Sequence, residues 1–247
     1  MLNTTLLVII VSLIFSAGNV LASEPDWTSY QSVLGHVNPS VKNNIKLMAV
    51  DYQAIKSNGR LDKAYQQLAD FKLDDLSNRN EELAFYINAY NILALKMVAD
   101  HWPTKSIKDV GSLFSPVWNK SAGMLGGKSV SLGEIEHKVL RTMGEPRIHL
   151  AIVCASVSCP DLRNEPYTAM KLNEQLNDQA KQFLNNQAKG LKIEKKIIRI
   201  SKIFDWFEDD FDAMGGVSAF IKRYQTDLPE LKIKANMPYD WSVNAVE

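Results

Sequence analysis

Five side chains that could take part in covalent or acid–base chemistry lie close together in the sequence: Glu136, His137, His149, Cys154 and Cys159. Cys159 stands directly before Pro160, and proline favours the first position of a helix, which predicts Cys159 at a helix N-cap. The positive end of the helix dipole would lower the pKa of its thiol and make it reactive. With His137 or His149 as the base and Glu136 orienting the imidazole, this set predicts a thiol-type hydrolase or acyl transferase.

The two cysteines also allow other states. Two cysteines five residues apart across a turn tend to form a disulfide in an oxidising compartment, where it is structural or redox-active. Closing so short a loop contributes about 2 kcal/mol in the entropy model. An inert reduced pair is the third possibility. A zinc site is disfavoured, because His149 and Cys154 would point to opposite faces of a strand, so the sequence predicts no metal or other cofactor.

The helix predicted over residues 132–143 places Glu136 within its apolar face and His137 at the edge of that face. A carboxylate on the core side is costly unless it is paired or hydrogen-bonded. Glu136 is therefore predicted either as a site carboxylate beside His137 or as half of a buried ion pair with Arg147 or Arg163.

The elements around these residues are predicted from their patterns. Arg147–Cys154 is predicted as a buried strand, since it is apolar and is bounded by turn residues. Asn80–His101 carries no charge from Leu83 to Leu95, which is typical of a buried central helix. Asn88 and Asn91 are three residues apart and share a face of that helix, where either could supply an oxyanion-type hydrogen-bond donor.

The remaining elements complete the predicted fold, which is α+β: a mostly helical single domain with a buried central helix and a small, mainly antiparallel sheet. The other predicted elements are a helix capped by Ser40 and running through Tyr52, a helix over 61–72, a short hairpin around Gly126, an amphipathic helix over 168–186, a hairpin over 191–201, two helices near 205–211 and 217–224, and a strand over 231–234.

The N-terminal segment is predicted to be a cleaved signal peptide. Met1–Ala22 contains no charged residue or histidine, and its apolar run is followed by Val20-Leu21-Ala22, which suits a signal peptidase. The run is shorter than the roughly 20 residues that span a bilayer. The expected mature protein is one globular domain of residues 23–247, periplasmic or secreted, without stable membrane insertion.

Charge limits the function classes further. The 247 residues carry 28 basic and 28 acidic side chains, and a net charge of zero argues against nucleic-acid binding. The acidic run Glu208, Asp209, Asp210 and Asp212 lacks the calcium-loop pattern and is predicted to be a solvated helix face. The expected partner is a small molecule, a peptide or an envelope protein, and the alternative to an enzyme is a non-enzymatic binding or accessory protein of the envelope with a structural disulfide.

Four segments together resemble the bacterial and plant family known as domain of unknown function 547. They are AFYINAYNILALKMV (84–98), SLGEIEHKVLR (131–141), PRIHLAIVCASVSCPDLR (146–163) and YDWSVN (239–244). The family's activity is not established, so the resemblance implies motif positions and not a reaction. Those positions are Asn88, Tyr90, Asn91, Glu136, His137, Arg141, Arg147, His149, Cys154, Cys159, Pro160, Asp240, Trp241 and Asn244.

Overall fold

The computed structural model describes residues 24–112 and 114–246. The predicted signal peptide, Met1–Ala22, lies outside the described residues. The described helices are α1 (Thr28–Leu34), α2 (Tyr52–Ser57), α3 (Arg60–Asp70), α4 (Arg79–Asp100), α5 (Leu132–Glu134), α6 (Leu172–Asn185), α7 (Ile203–Trp206) and α8 (Gly216–Tyr224). The strands are β1 (Val37–Lys42), β2 (Ile45–Val50), β3 (Ser121–Leu125), β4 (Lys128–Ser131), β5 (Leu191–Glu194), β6 (Ile197–Ile200) and β7 (Lys232–Ala235).

These elements confirm the predicted α+β class. β1–β2 and β3–β4 are antiparallel hairpins, whereas β5–β6–β7 form a third sheet in which β6 and β7 run parallel. Among the described residues, no helix is long and apolar enough to span a membrane.

Helix α4 is the buried central helix that its uncharged sequence predicts. Every residue from Leu83 to Leu95 is buried except Tyr86, and α4 packs against α2, α3 and β3. The side chain of Asn78 caps the helix by accepting the backbone N–H groups of residues 80 and 81.

The helix predicted after Ser40 is wrong. Asn43 and Asn44 both adopt positive φ angles, 52° and 64°, and this left-handed pair makes the two-residue turn of the β1–β2 hairpin. The spacing of Ile45, Met48 and Tyr52 suits a helix, but the turn residues decide the local structure. Helix α2 begins only at Tyr52, capped by Asp51.

The strand predicted over Arg147–Cys154 is also wrong. Pro146 starts a 3₁₀ helix, Pro146–Leu150, and the Glu145 side chain accepts the Arg147 N–H at its beginning. The side chain of Asn91 then accepts the Val153 N–H at 2.8 Å and donates to the Ala151 carbonyl at 3.0 Å. These backbone groups consequently need no sheet partner.

Apolar side chains form two main clusters. One surrounds α4, and the other lies between the β5–β6–β7 sheet, α6 and α8, where Phe204, Phe211 and Phe220 are in contact. The segment 239–246 joins distant parts of the chain: Asn244 accepts the Val50 N–H at 2.8 Å and donates its own N–H to Ala155 at 3.1 Å.

Candidate functional site

A pocket of about 260 Å³ brings together most of the side chains singled out in the sequence. Glu136, His137, His149, Cys154 and Cys159 all line it. The other lining residues are Tyr90, Trp118, Ile152, Pro160, Ile203, Trp206, Phe207, Tyr239 and Trp241. The volume is slightly below the range of typical drug-sized ligand sites, so the pocket suits a small ligand.

Aromatic rings form much of the pocket lining. Trp241 contacts Trp206 with ring centroids 5.7 Å apart, Tyr239 at 4.6 Å and Trp118 at 5.6 Å. The Lys108 ammonium lies 3.5 Å from the centre of the Trp241 ring, in a cation–π contact. The sequence did not predict this aromatic group, because its members come from three separate segments.

Glu136 lies on a π-helical turn, Ile135–Leu140, that continues from α5. Its side chain is buried, with 5% of the residue exposed, and the Tyr90 hydroxyl donates to Glu136 Oε2 at 3.4 Å. Burial raises the pKa of this carboxyl to about 7, against the smaller opposing effects of Tyr90 and Arg141. The predicted inward position of Glu136 is confirmed.

The alternative ion-pair partners of Glu136 are engaged elsewhere. Arg147 pairs with Glu145 at 2.6 Å, and Arg163 pairs with Asp178 at 2.6 Å. Glu136 is therefore a pocket carboxyl and not half of either predicted bridge.

Buried His149 is held by a partly exposed ion pair, Arg141 and Asp210. Its Nε2 lies 2.7 Å from Asp210 Oδ2, and Arg141 donates to both oxygens of the same carboxylate, at 2.7 and 2.8 Å. The imidazole also stacks on Phe207, with ring centroids 3.9 Å apart. Burial lowers the pKa of His149 to about 4, so the ring is neutral near pH 7 and donates its Nε2–H to Asp210.

The neutral tautomer leaves His149 Nδ1 as an acceptor. This buried atom has no hydrogen-bond partner among the described residues. His137 lies exposed beside the network, with its Nδ1 3.3 Å from Arg141 Nη1, and partial burial and the Arg141 charge lower its pKa.

Asp210 is a site residue that the sequence interpretation missed. Glu208, Asp209 and Asp212 are exposed, as predicted for a solvated face, but Asp210 is only partly exposed and binds Arg141 and His149. All four residues belong to the 3₁₀ helix Glu208–Met214. Asp210 lies directly beside Phe211, which is fully buried, and this neighbour is the signal that could have identified it.

Cys154 and Cys159 form a disulfide, so the chain's two cysteines are both paired. No helix begins at Pro160, so the predicted N-cap position of Cys159 is wrong. The prediction that His149 and Cys154 face opposite ways fails with the strand, since both line the pocket. The described residues contain no cluster of histidine, cysteine, aspartate or glutamate arranged to hold a metal ion.

Asn88 and Asn91 do not line the pocket. Asn88 accepts the Tyr167 N–H at 2.9 Å and donates to the Tyr167 carbonyl at 2.8 Å, and Asn91 bonds the backbone of residues 151 and 153 in the same way. Both amides hydrogen-bond irregular segments to α4, and neither side chain reaches the pocket that holds Glu136, His149 and the disulfide.

The fold and the site together define an α+β protein with a small aromatic pocket that holds a buried carboxyl, a histidine–aspartate pair and a disulfide. The sequence model of a family described as "Protein of unknown function, DUF547" matches residues 73–184, which confirms the predicted resemblance to that family. The match includes α4, Glu136 and both cysteines, but Asp210, Tyr239 and Trp241 lie beyond it. No curated protein and no solved structure matches the chain.

Proposed function

We propose that this protein is an exported enzyme in which Glu136 exchanges a proton with a small substrate bound in the aromatic pocket. The observation that carries the proposal is the pKa of about 7 that burial gives to a carboxyl lining the pocket. An acid–base catalyst works best when its pKa lies near the operating pH, because both protonation states are then populated.

The neighbouring groups suit this role. The Tyr90 hydroxyl holds Glu136 Oε2 in place, and the Arg141–Asp210 pair fixes the ring of His149. Because the pKa of His149 is about 4, its ring stays neutral as part of the pocket wall, whereas the proton passes through Glu136.

The disulfide changes the reaction predicted from the sequence. A thiolate at Cys159 is the nucleophile in a thiol-type hydrolase, but that sulfur is bonded to Cys154. Hydrolysis or group transfer at this pocket would instead use water or an acceptor hydroxyl, with Glu136 as the base that removes its proton.

The lining also indicates the kind of substrate. Trp118, Trp206 and Trp241 line a cavity of about 260 Å³. Flat or apolar groups pack well against such surfaces. We therefore expect a small substrate with one planar or apolar part and one polar group that reaches Glu136.

The decisive experiment is the titration of Glu136. In protein labelled with carbon-13 at the glutamate carboxyl, the signal that disappears in Glu136→Gln identifies the residue. A midpoint near neutral pH supports the proposal. A midpoint in the usual range of about 4 to 5 overturns it, because proton exchange needs a carboxyl that both accepts and returns a proton near neutral pH.

Activity can be measured with p-nitrophenyl esters, whose aromatic ring suits the pocket. We expect Glu136→Gln to abolish the hydrolysis that the wild type catalyses. Glu134→Gln is the matched control: Glu134 lies two residues away at the surface, and glutamine can preserve its capping contact with Ser131. Equal rates for the two variants would contradict a proton-transfer role for Glu136.

The aromatic lining favours a second candidate, a binding protein of the envelope. Such a protein would hold its ligand in the same pocket without chemistry. Tryptophan fluorescence measures binding directly, so quenching by a ligand that is recovered unchanged, with equal affinity in Glu136→Gln, would favour this candidate over the enzyme.

A further inference from the structure

The Cys154–Cys159 disulfide lies in the pocket lining, and its two sulfur-bearing residues differ in exposure. Cys154 is partly exposed, whereas Cys159 is 2% exposed. A reagent that enters the pocket therefore reaches the Cys154 sulfur more easily than the Cys159 sulfur.

Hydroxyl groups lie beside both sulfurs, but a backbone N–H points only to the less exposed one. The Cys154 N–H lies 2.9 Å from Cys159 Sγ. The Tyr239 hydroxyl lies 3.3 Å from both sulfurs, and the Ser156 hydroxyl lies 3.3 Å from Cys154 Sγ. A disulfide sulfur carries no hydrogen, so the Tyr239 O–H is the donor. Burial raises the pKa of Tyr239, so its hydroxyl keeps its proton and remains a donor at neutral pH.

These donors make Cys159 a good leaving group. If the S–S bond breaks, negative charge collects on Cys159 Sγ, where one N–H and one O–H already point. Hydrogen bonds to a thiolate lower its pKa, and a thiol of lower pKa leaves faster in thiol–disulfide exchange.

We propose that Cys154–Cys159 is a redox-active disulfide that exchanges with low-molecular-weight thiols, with Cys154 as the attacked sulfur and Cys159 as the leaving sulfur. This activity goes beyond the proton transfer proposed above and does not depend on it. A small thiol is the expected partner, because the pocket in front of Cys154 measures only about 260 Å³.

A dithiol reduces the disulfide in two steps. Its first thiolate attacks Cys154 Sγ, the S–S bond breaks, and the electron pair goes to Cys159 Sγ. The second thiolate then attacks the reductant's own sulfur in the mixed disulfide and releases Cys154. Two electrons pass from the dithiol to the protein, and the two protons of the dithiol end on the two cysteines or in solvent. In the reverse direction, Cys154 attacks an external disulfide and Cys159 resolves the intermediate.

The test follows reduction of the folded wild-type protein by dithiothreitol, with alkylation of the new thiols and mass measurement. Reduction through the pocket predicts a rate that rises in proportion to thiol concentration while the circular dichroism spectrum stays native. A rate that is independent of thiol concentration and equal to the rate of global unfolding would make the disulfide structural and overturn the proposal.

A pair of variants tests the leaving-group argument. Tyr239→Phe removes the O–H donor and should slow reduction on the order of threefold while raising the pKa of the reduced Cys159 thiol, read from ultraviolet thiolate absorbance. Tyr224→Phe is the matched control, since the Tyr224 hydroxyl bonds Asn177 and lies away from the pocket. An unchanged Cys159 pKa in Tyr239→Phe would contradict the assigned role of Tyr239.

Discussion

At the scale of single residues, the protonation of Glu136 makes the stability of the folded protein depend on pH. Its pKa of about 7 in the folded protein compares with 4.5 for an ordinary glutamate, so the folded state binds its proton more tightly than the unfolded state does. The stability that this proton contributes is complete below about pH 4.5 and is lost as the pH rises through about 7.

His149 acts in the opposite direction. Burial lowers its pKa from 6.5 to about 4, so its contribution is present above about pH 6.5 and is lost as the pH falls towards 4. The two effects oppose each other between about pH 4.5 and 6.5, and the wild-type stability should change little there on account of this pair.

We therefore predict that Glu136→Gln gains stability relative to wild type as the pH rises. The two proteins should be similarly stable near pH 4, and the variant should be more stable near pH 8 by up to about 3 kcal/mol, the equivalent of about 2.5 pKa units. Urea denaturation across this range measures the difference. A constant difference at both pH values would show that Glu136 is not a buried proton-binding group.

A second prediction concerns Tyr90. Its hydroxyl donates to Glu136 and favours the ionised carboxylate, so Tyr90→Phe should raise the pKa of Glu136 further above 7. Carbon-13 titration of the Glu136 carboxyl measures this shift in pKa. A lower pKa in the variant would mean that the Tyr90 hydroxyl does not stabilise the carboxylate.

At the scale of elements, α4 shows how polar side chains in a buried helix organise the loops around it. Asn88 makes two hydrogen bonds to the backbone of Tyr167, and Asn91 makes hydrogen bonds to the backbone of residues 151 and 153, just before the disulfide. These amides fix the conformation of segments that form neither helix nor strand.

Asn88→Leu should therefore destabilise the protein by about 1–3 kcal/mol for each backbone group left unpaired. Asn80→Leu makes the same chemical change at an exposed position of α4 and should alter stability by less than about 0.5 kcal/mol. Thermal denaturation of both variants tests this. Equal midpoints would argue that the Asn88 contacts are replaced by solvent.

The sequence predicted elements well where one signal dominates. The uncharged run Leu83–Leu95 predicted α4, and the apolar face of residues 132–143 predicted the burial of Glu136 although the observed helix contains a π turn. The predictions failed where the apolar pattern favours one structure and the hydrogen-bonding groups around the segment favour another. The apolar run after Pro146 suits a strand, but Asn91, from another element, takes its hydrogen bonds.

At the scale of the whole molecule, the site depends on contacts that no local pattern encodes. Arg141 and Asp210 are 69 residues apart, and Cys159 and Tyr239 are 80 residues apart. Local sequence patterns identified Glu136 and the disulfide region, but Asp210 and the aromatic rings become site residues only through contacts between distant segments.

Export also concerns the whole molecule. We propose it on two grounds: the uncharged segment Met1–Ala22 and the disulfide. We predict a mature N-terminus at Ser23. Intact-mass measurement of protein from the periplasm or medium should show the loss of residues 1–22. A full-length species retained in the membrane fraction would contradict the prediction.

The segment 239–246 completes the pocket after both cysteines have been synthesised. Tyr239 and Trp241 are the last of the pocket residues to leave the ribosome, and the backbone of this segment fastens the loop that bears the disulfide, with the Val157 N–H bonded to the Ser242 carbonyl at 2.9 Å. During synthesis both thiols precede their tyrosine partner by about 80 residues. Oxidation can thus occur on an open chain, before the final segment bonds to the backbone of the loop that bears the disulfide.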